Sequence, residues 1–478
     1  MNTESHSTER NSTSLEEDRI SCLPDEILRH ILSFLPTKNA VATCVLSSKW
    51  RLVWALLPNL CFDDRLCLMY ENTRALTEDA STRFEDFVNR VILCDLGKIN
   101  KFSLRCSRLI NFSRLKSWVS CAVMRNVVEI ELNLDNYKHI KEAIELPESI
   151  YTSRALEVVK LNLKFFIKNP PPGNFFPSVK TLQVALNNLD KNFPEWLFSN
   201  CPVLEYLSIK GYLYVGDLVT LNISSLTLKR LTLELVDCAG SDTELEVVIR
   251  APNLEYLYIK DYLPVSYTVD ELHSLTKAVV DIDCEYIGEF QSIDIVAQGV
   301  VQLLRGVNNT KFLSWAKGIL YALVFARQIE DFFPTFPFLT RFALEVDDSG
   351  WHLLPLIFSR MPNLESLVFE VDEDTDFDCW WAEEPLSLPD CFLPHVKTIE
   401  MRGFAGRKNE LKLIKFLLKN CEVLNTMIIK FQKKRVQKMV LMEKLCLHWF
   451  LFCEDLDVWM LSVEAMLKNM DLISSNIC

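Results

Sequence analysis

Residues 201–212 read CPVLEYLSIKGY, residues 251–262 read APNLEYLYIKDY, and residues 361–372 read MPNLESLVFEVD. All three share Pro-x-Leu-Glu-x-Leu-x-apolar, and beneath it lies a looser frame, apolar-x-x-apolar-x-apolar. That frame recurs from Val127, Leu156, Val179, Leu228, Leu339, Val396 and Leu424, and more faintly near Ile99, Leu275 and Thr310. Most intervals are about 20 to 30 residues. The last two apolar positions alternate with polar ones, so they point to one side of a short strand. The first fills the interior from the preceding turn. One such unit cannot bury its own face, whereas stacked neighbours make a continuous core along a parallel strand ladder.

The period and frame resemble leucine-rich repeats, in an irregular form in which the usual asparagine after the strand survives clearly only at Asn187. The intervening segments should form the convex side. NFPEWLFSNCP (192–202) and LLPLIFSRMP (353–362) read as short helices halted before Pro202 and Pro362. Polar positions between the inward residues should face the concave side, where solenoids bind partners. They include Tyr206, Ser208 and Lys210, then Arg230, Thr232 and Glu234, then Tyr256, Tyr258 and Lys260. Tyrosines interleaved with charges suit an interface. Tyr206, Lys210, Arg230, Tyr256, Tyr258 and Lys260 are therefore the candidate substrate contacts, against the plainer alternative of a solvated strand face.

A different pattern occupies residues 18–58. The apolar residues of LPDEILRHILSFLPTK (23–38) recur at helical spacing. Pro24 sits where a helix would begin and Pro36 where it must stop. A second helix is expected over Ala40–Leu46 and a third from Ser48 past Trp54, capped by Ser47 or Ser48. So small a bundle cannot hide all its apolar side chains. Burying each is worth about 1.5–3 kcal/mol, and a few would offset the roughly 4–15 kcal/mol cost of association. The pattern Leu23-Pro24-x-x-Ile27-Leu28-x-x-Ile31-Leu32-x-x-Leu35-Pro36, then Val45-Leu46-Ser47-x-x-Trp50 and Trp54, resembles an F-box. The resemblance implies docking on the Skp-type adaptor of a cullin–RING ubiquitin ligase, with Leu23, Pro24, Ile27, Leu28, Ile31 and Leu35 contributing. Spacing does not separate those that face the adaptor from those in the bundle's own core.

Residues 385–431 read as a strand (396–401), a turn at Gly403 and Gly406, an amphipathic helix (409–419) and a strand (424–430). Cys391-Phe392, Pro394, the Val396/Ile399/Met401 strand, Gly403-Phe404, Gly406 and the Leu-rich helix resemble the FBD domain of plant F-box/LRR proteins. Physically this is one more repeat acting as a terminal cap. The resemblance spans about residues 18–431.

The expected fold is therefore α/β: a three-helix F-box, an irregular leucine-rich-repeat solenoid and an FBD cap. The expected segments are a disordered tail (1–17), the F-box (18–60), repeats (61–384), the FBD domain (385–431) and an atypical extension (432–478).

Half the residues are hydrophobic (49%) and the net charge is −13, which argues against general nucleic-acid binding. The sixteen cysteines form no CxxC pair or zinc-spaced cluster and read as buried, reduced thiols of an intracellular protein, cytoplasmic or nuclear. The first 17 residues do not read as a secretory leader, so none is expected, and no apolar run reaches membrane-spanning length. Asp372, Asp374, Asp376 and Glu383 sit at calcium-loop positions, but Phe377 stands where the loop needs glycine, so a solvated acidic loop is expected. KFQKKRVQK (430–438) lies among Arg402, Arg407, Lys408, Lys412, Lys415 and Lys419, a locally basic end that would steer an acidic partner. Phosphate-loop, GxGxxG, GxSxG and HExxH motifs are absent. No enzyme activity and no cofactor are called for. The reading is a substrate receptor of a ubiquitin ligase, joined through the adaptor to cullin and RING subunits and holding an unidentified protein; the alternative is a repeat scaffold acting without a ligase.

Overall fold

Wherever the repeated frame is described, it forms a strand with its three apolar positions turned inward. The computed structural model describes residues 19–68, 78–94, 97–107, 110–134, 146–163, 176–186, 201–213, 219–237, 245–261, 265–270, 272–282, 293–326, 329–346, 353–371, 393–404 and 407–431. The 1–17 tail, Asn187, residues 192–200, the 372–383 acidic loop, Cys391, Phe392, Gly406 and residues 432–478 lie outside them. The chain divides between Tyr137 and Lys138 into two compact units.

In the first unit, β1 (Asn59–Asp63), β2 (Lys101–Arg105) and β3 (Glu129–Leu134) pair in parallel, in that order. Their inward residues are Leu57, Leu60 and Phe62, then Ile99, Phe102 and Leu104, then Val127, Ile130 and Leu132, all buried. The copy at Leu57 is not expected from the sequence, because it overlaps the end of the helical segment. Between β2 and β3 the helix Phe112–Met124 starts at Asn111, whose Oδ1 accepts from the Ser113 and Arg114 amides.

In the second unit the strands are β4 (Val158–Leu163), β5 (Thr181–Leu186), β6 (Tyr206–Leu213), β7 (Val219–Ser224), β8 (Arg230–Asp237), β9 (Leu245–Arg250), β10 (Tyr256–Asp261), β11 (Val265–Val269), β12 (Lys277–Ile282), β13 (Phe312–Trp315), β14 (Arg341–Val346), β15 (Ser366–Val371), β16 (Thr398–Phe404) and β17 (Thr426–Phe431). The main sheet runs β4-β5-β6-β8-β10-β12-β13-β14-β15-β16-β17, every pair parallel. The amides on either side of each strand's start donate to the preceding copy: Glu255 and Tyr256 to the Lys229 carbonyl, Thr276 and Lys277 to that of Glu255. The asparagine of Pro-Asn-Leu-Glu adds a stitch. Asn253 Nδ2 donates to the Leu226 carbonyl and Asn363 Nδ2 to that of Pro337, both at 2.7 Å.

On the far side, Val219–Ser224, Leu245–Arg250 and Val265–Val269, to which the sequence assigns no element, supply β7, β9 and β11, which pair as a second parallel sheet. VTLNIS, LEVVIR and VSYTV are β-branched and alternating, which favours strands over helix. The Tyr267 hydroxyl donates to the Asp261 carboxylate at 2.6 Å, fastening β11 to the end of β10. Helices return with Ile293–Gly306, Lys317–Val324 and Leu354–Ser359, the last within the expected 353–362.

The thiols also differ from expectation. Among the described cysteines, Cys106 and Cys201 are buried, while Cys22 and Cys61 are exposed and Cys44, Cys94, Cys121 and Cys421 lie between. Cys61 occupies the outward position between Leu60 and Phe62, so strand alternation forces it out.

Toward the C-terminus, β16, the helix Lys408–Asn420 and β17 follow the expected strand–helix–strand within a few residues at each end. The helix buries Leu413, Ile414 and Leu417. Gly403 has φ +75° beside a register shift in β16. A Cβ there would collide with the Val371 carbonyl oxygen. Two of the expected basic residues are neutralised: Arg402 pairs with Glu370 and Glu400, and Lys430 reaches Glu400 at 2.6 Å. The Arg402 and Lys430 bonds hold the Glu400 carboxyl down at about 2.

Two outcomes follow. Gly403→Ala should cost about 1–3 kcal/mol in denaturant unfolding, while Gly97→Ala, with open space around it, should shift the midpoint little. Because the Glu400 carboxyl is depressed below its ordinary 4.5, its stabilisation is complete above that value and is lost as pH falls towards 2. Glu400→Gln should therefore destabilise at pH 7 by on the order of 1 kcal/mol, given the exposure of its partners, and the gap should close as pH falls below 5.

Candidate functional site

Two surfaces carry chemistry, one in each unit. In the first, α1 (Asp25–Ser33), α2 (Thr37–Ala42) and α3 (Ser48–Val53) form a small bundle, with 3-10 turns at Thr43–Val45 and Trp54–Leu56. Pro24 and Pro36 precede α1 and α2, and the Pro24 carbonyl accepts from the Ile27 and Leu28 amides. Ser47 holds the N-cap position of α3 but makes no capping bond, and its Oγ is buried without a hydrogen-bond partner among the described residues. The expected cap is therefore positional only.

The bundle core is Leu28, Leu32, Ala40, Trp50, Val53 and Leu57, with Leu23 and Trp54 packed against it. Trp50 Nε1 donates to Ser21 Oγ at 3.0 Å, and Lys49 Nζ donates to the Ser21 and Leu23 carbonyls. These bonds tie down the chain entering α1. Thr37 Oγ1 accepts from the Cys61 amide, and Leu57 serves both the bundle and the frame of β1. The helices are thus built onto the first strand.

With that core complete, a second apolar set faces out. Ile27, Ile31 and Phe34 form a stripe at i, i+4 and i+7, flanked by Leu35. Val45, Leu46, Leu52 and Leu56 are also exposed, Phe34 by 74% and Val45 by 83%. Of the six adaptor candidates, Ile27, Ile31 and Leu35 are on the outside and Pro24 is exposed at the start of α1. Leu23 is half-buried, and Leu28 is fully buried. Leu28 therefore acts through packing. Phe34, Val45, Leu46, Leu52 and Leu56 are added by the structure. Phe34 was legible at i+7 from Ile27; the others lie in turns or a short helix, where periodicity is weak.

The second surface is the face of the main sheet opposite its apolar core. Strand register turns the polar positions into rows. One row reads Tyr206, Arg230, Tyr256, Lys277, Phe312, Arg341 across β6, β8, β10, β12, β13 and β14. Aromatic rings alternate with cations. Lys277 Nζ lies 5.6 Å from the Tyr256 ring centre and 4.8 Å from that of Phe312, and the Arg341 guanidinium lies 5.7 Å from Phe312, within cation–π range. The next row, Ser208, Thr232, Tyr258, Val279 and Ser314, is uncharged. In the third, Lys210 pairs with Glu234 at 2.6 Å and Lys260 with Asp281 at 3.0 Å. Partial burial raises the Tyr256 and Tyr258 hydroxyls above their ordinary range, keeping them protonated donors.

The six substrate candidates thus separate by row. Tyr206, Arg230 and Tyr256 share the alternating row, Tyr258 adjoins it, and Lys210 and Lys260 are spent in ion pairs. Lys277, Phe312 and Arg341 were missed, because the frames at Leu275 and Thr310 are faint and register is not written in one strand. Among the described residues no group of three or more His, Cys, Asp or Glu is placed to hold a metal ion, and no helix is long and apolar enough to cross a membrane.

Comparison with known families matches the F-box domain at residues 20–62, the LRR repeats of the FBD-associated F-box protein At5g56370 at 115–274, and FBD at 383–429. Among relatives from Arabidopsis thaliana, F-box protein At3g59000 is 30% identical over 425 residues, 84% of each chain. F-box/LRR-repeat protein At4g14103 is 31% identical over 364 residues, 74% of this chain and 91% of its own.

The bundle's two apolar sets should separate experimentally. Leu28→Ala should lower stability by about 2–5 kcal/mol, whereas Ile31→Asp should leave the thermal midpoint nearly unchanged in calorimetry.

Proposed function

The chain belongs to the F-box/LRR-repeat protein family, and on that premise we propose that it is a substrate-recognition subunit of an SCF-type cullin–RING ubiquitin ligase. It docks on a Skp-type adaptor through the outer stripe of α1 and the neighbouring turns, and through the adaptor it joins the cullin and RING subunits. The open face of the main sheet holds the target protein. The chain performs no bond chemistry; it supplies proximity, converting a bimolecular transfer into a local one. It works inside the cell, in cytoplasm or nucleus, where the ligase is.

The observation that carries this reading is the exposed set Ile27, Ile31, Phe34 and Leu35 over a bundle whose core is already complete. Apolar side chains gathered on one surface mark a place for a partner. Lys49 and Trp50 fix Ser21 and Leu23 at the entry to the same helix.

Co-precipitation of the intact chain with a Skp-type adaptor tests it. Ile27→Asp, Ile31→Asp and Phe34→Asp should each weaken adaptor binding by tenfold or more, with circular dichroism unchanged. Adaptor binding unaltered by all three, or absent from the intact chain, would overturn the proposal.

A further inference from the structure

The alternating row carries a charge excess that its surroundings do not cancel. Arg230, Lys277 and Arg341 are exposed, and none has a carboxylate at ion-pair distance among the described residues. On one side lies the uncharged row, and beyond it lysines already paired with Glu234 and Asp281. On the side where strands begin, Lys229 pairs with Glu205, and Glu255 and Lys311 offset each other in sign. In a chain of net charge −13, three unpaired cations in one row select an anionic partner.

The spacing is informative as well. The cations stand on β8, β12 and β14, each two strands from the next in the sheet. Strands lie about 4.8 Å apart, so neighbouring cations are roughly 9.6 Å apart. A β-extended peptide repeats its side chains on one face every two residues, about 6.7 Å, which does not fit. A polyproline II segment repeats every three residues, about 9.3 Å, which does. Tyr256 and Phe312 supply rings between the cations and Tyr206 flanks Arg230, the kind of wall on which such segments are recognised. The rings also hold Lys277 and Arg341 in place before binding, so little of their side-chain freedom is lost.

We infer that this row, acting as the substrate face of the proposed receptor, binds a polyproline II segment bearing Asp or Glu at every third position. The carboxylates pair with Arg230, Lys277 and Arg341, and the residues between them lie against Tyr256 and Phe312, with Tyr206 meeting the residue beyond Arg230. The inference rests on the substrate-receptor reading, and extends it from an unspecified protein to a class of peptide.

Fluorescence anisotropy with the intact chain is the test. Three labelled, proline-containing peptides of identical composition carry three glutamates spaced by two, three or four residues. The three-residue spacing should bind at least tenfold more tightly than the others, and its affinity should fall steeply between 50 and 300 mM salt. Lys277→Gln and Arg230→Gln should each reduce it about tenfold. Equal binding of all spacings, no binding, or affinity untouched by both substitutions would overturn the inference. The same preparation is assayed for adaptor capture. Capture without peptide selectivity removes the peptide inference alone, and selectivity without capture removes the ligase reading alone.

Discussion

A strand of six residues leaves its amides, carbonyls and apolar side chains unsatisfied until another strand lies beside it. In each unit of this chain the neighbour is the next copy of the same frame, set in parallel with matching positions opposite one another. That in-register pairing is the constraint on which the rest depends. It puts Leu254, Leu257 and Ile259 of one copy against Leu275, Ala278 and Val280 of the next, all buried. By the same geometry it sets Tyr256 beside Lys277 and Arg230 on the other face. The core and the candidate binding row are two consequences of one register, because a slip of one residue would exchange them.

The N-terminal bundle follows a different logic. Its helices are short, and its core is six residues that include two from beyond α3 or at its end, Val53 and Leu57. Leu57 is also the first position of the frame leading into β1. The bundle borrows from the repeat behind it, and this frees the outer stripe of α1 from any structural duty. On the proposed reading, function at this end comes from side chains the fold does not use. At the sheet, likewise, Lys210 and Lys260 neutralise neighbouring carboxylates while Arg230, Lys277 and Arg341 keep their charge available.

The sequence made the repeats legible because their spacing is a local property. Even faint copies at Ile99, Leu275 and Thr310 mark strands with buried frames. The helical bundle and the strand–helix–strand near the C-terminus were legible for the same reason. What escaped was non-local. The frame at Leu57 hides within a helical segment, the second sheet of β7, β9 and β11 depends on pairing between separate connections, and the alternating row exists only once register is known. Leu28 was ambiguous with Ile27 and Ile31 because a stripe of that width contains both a core edge and an outer edge. Cysteine placement failed for a simpler reason: a small thiol is tolerated at outward positions such as Cys61, so composition does not decide its burial.

On the proposed reading, the bundle's outer stripe takes the adaptor and the open face of the sheet takes the target. Hydrogen–deuterium exchange on the intact chain, with and without a purified Skp-type adaptor, tests it most directly. Slowed exchange should be confined to residues 25–35 and 43–56, with β6 through β14 unchanged. Protection falling on those strands, or none at α1, would contradict it.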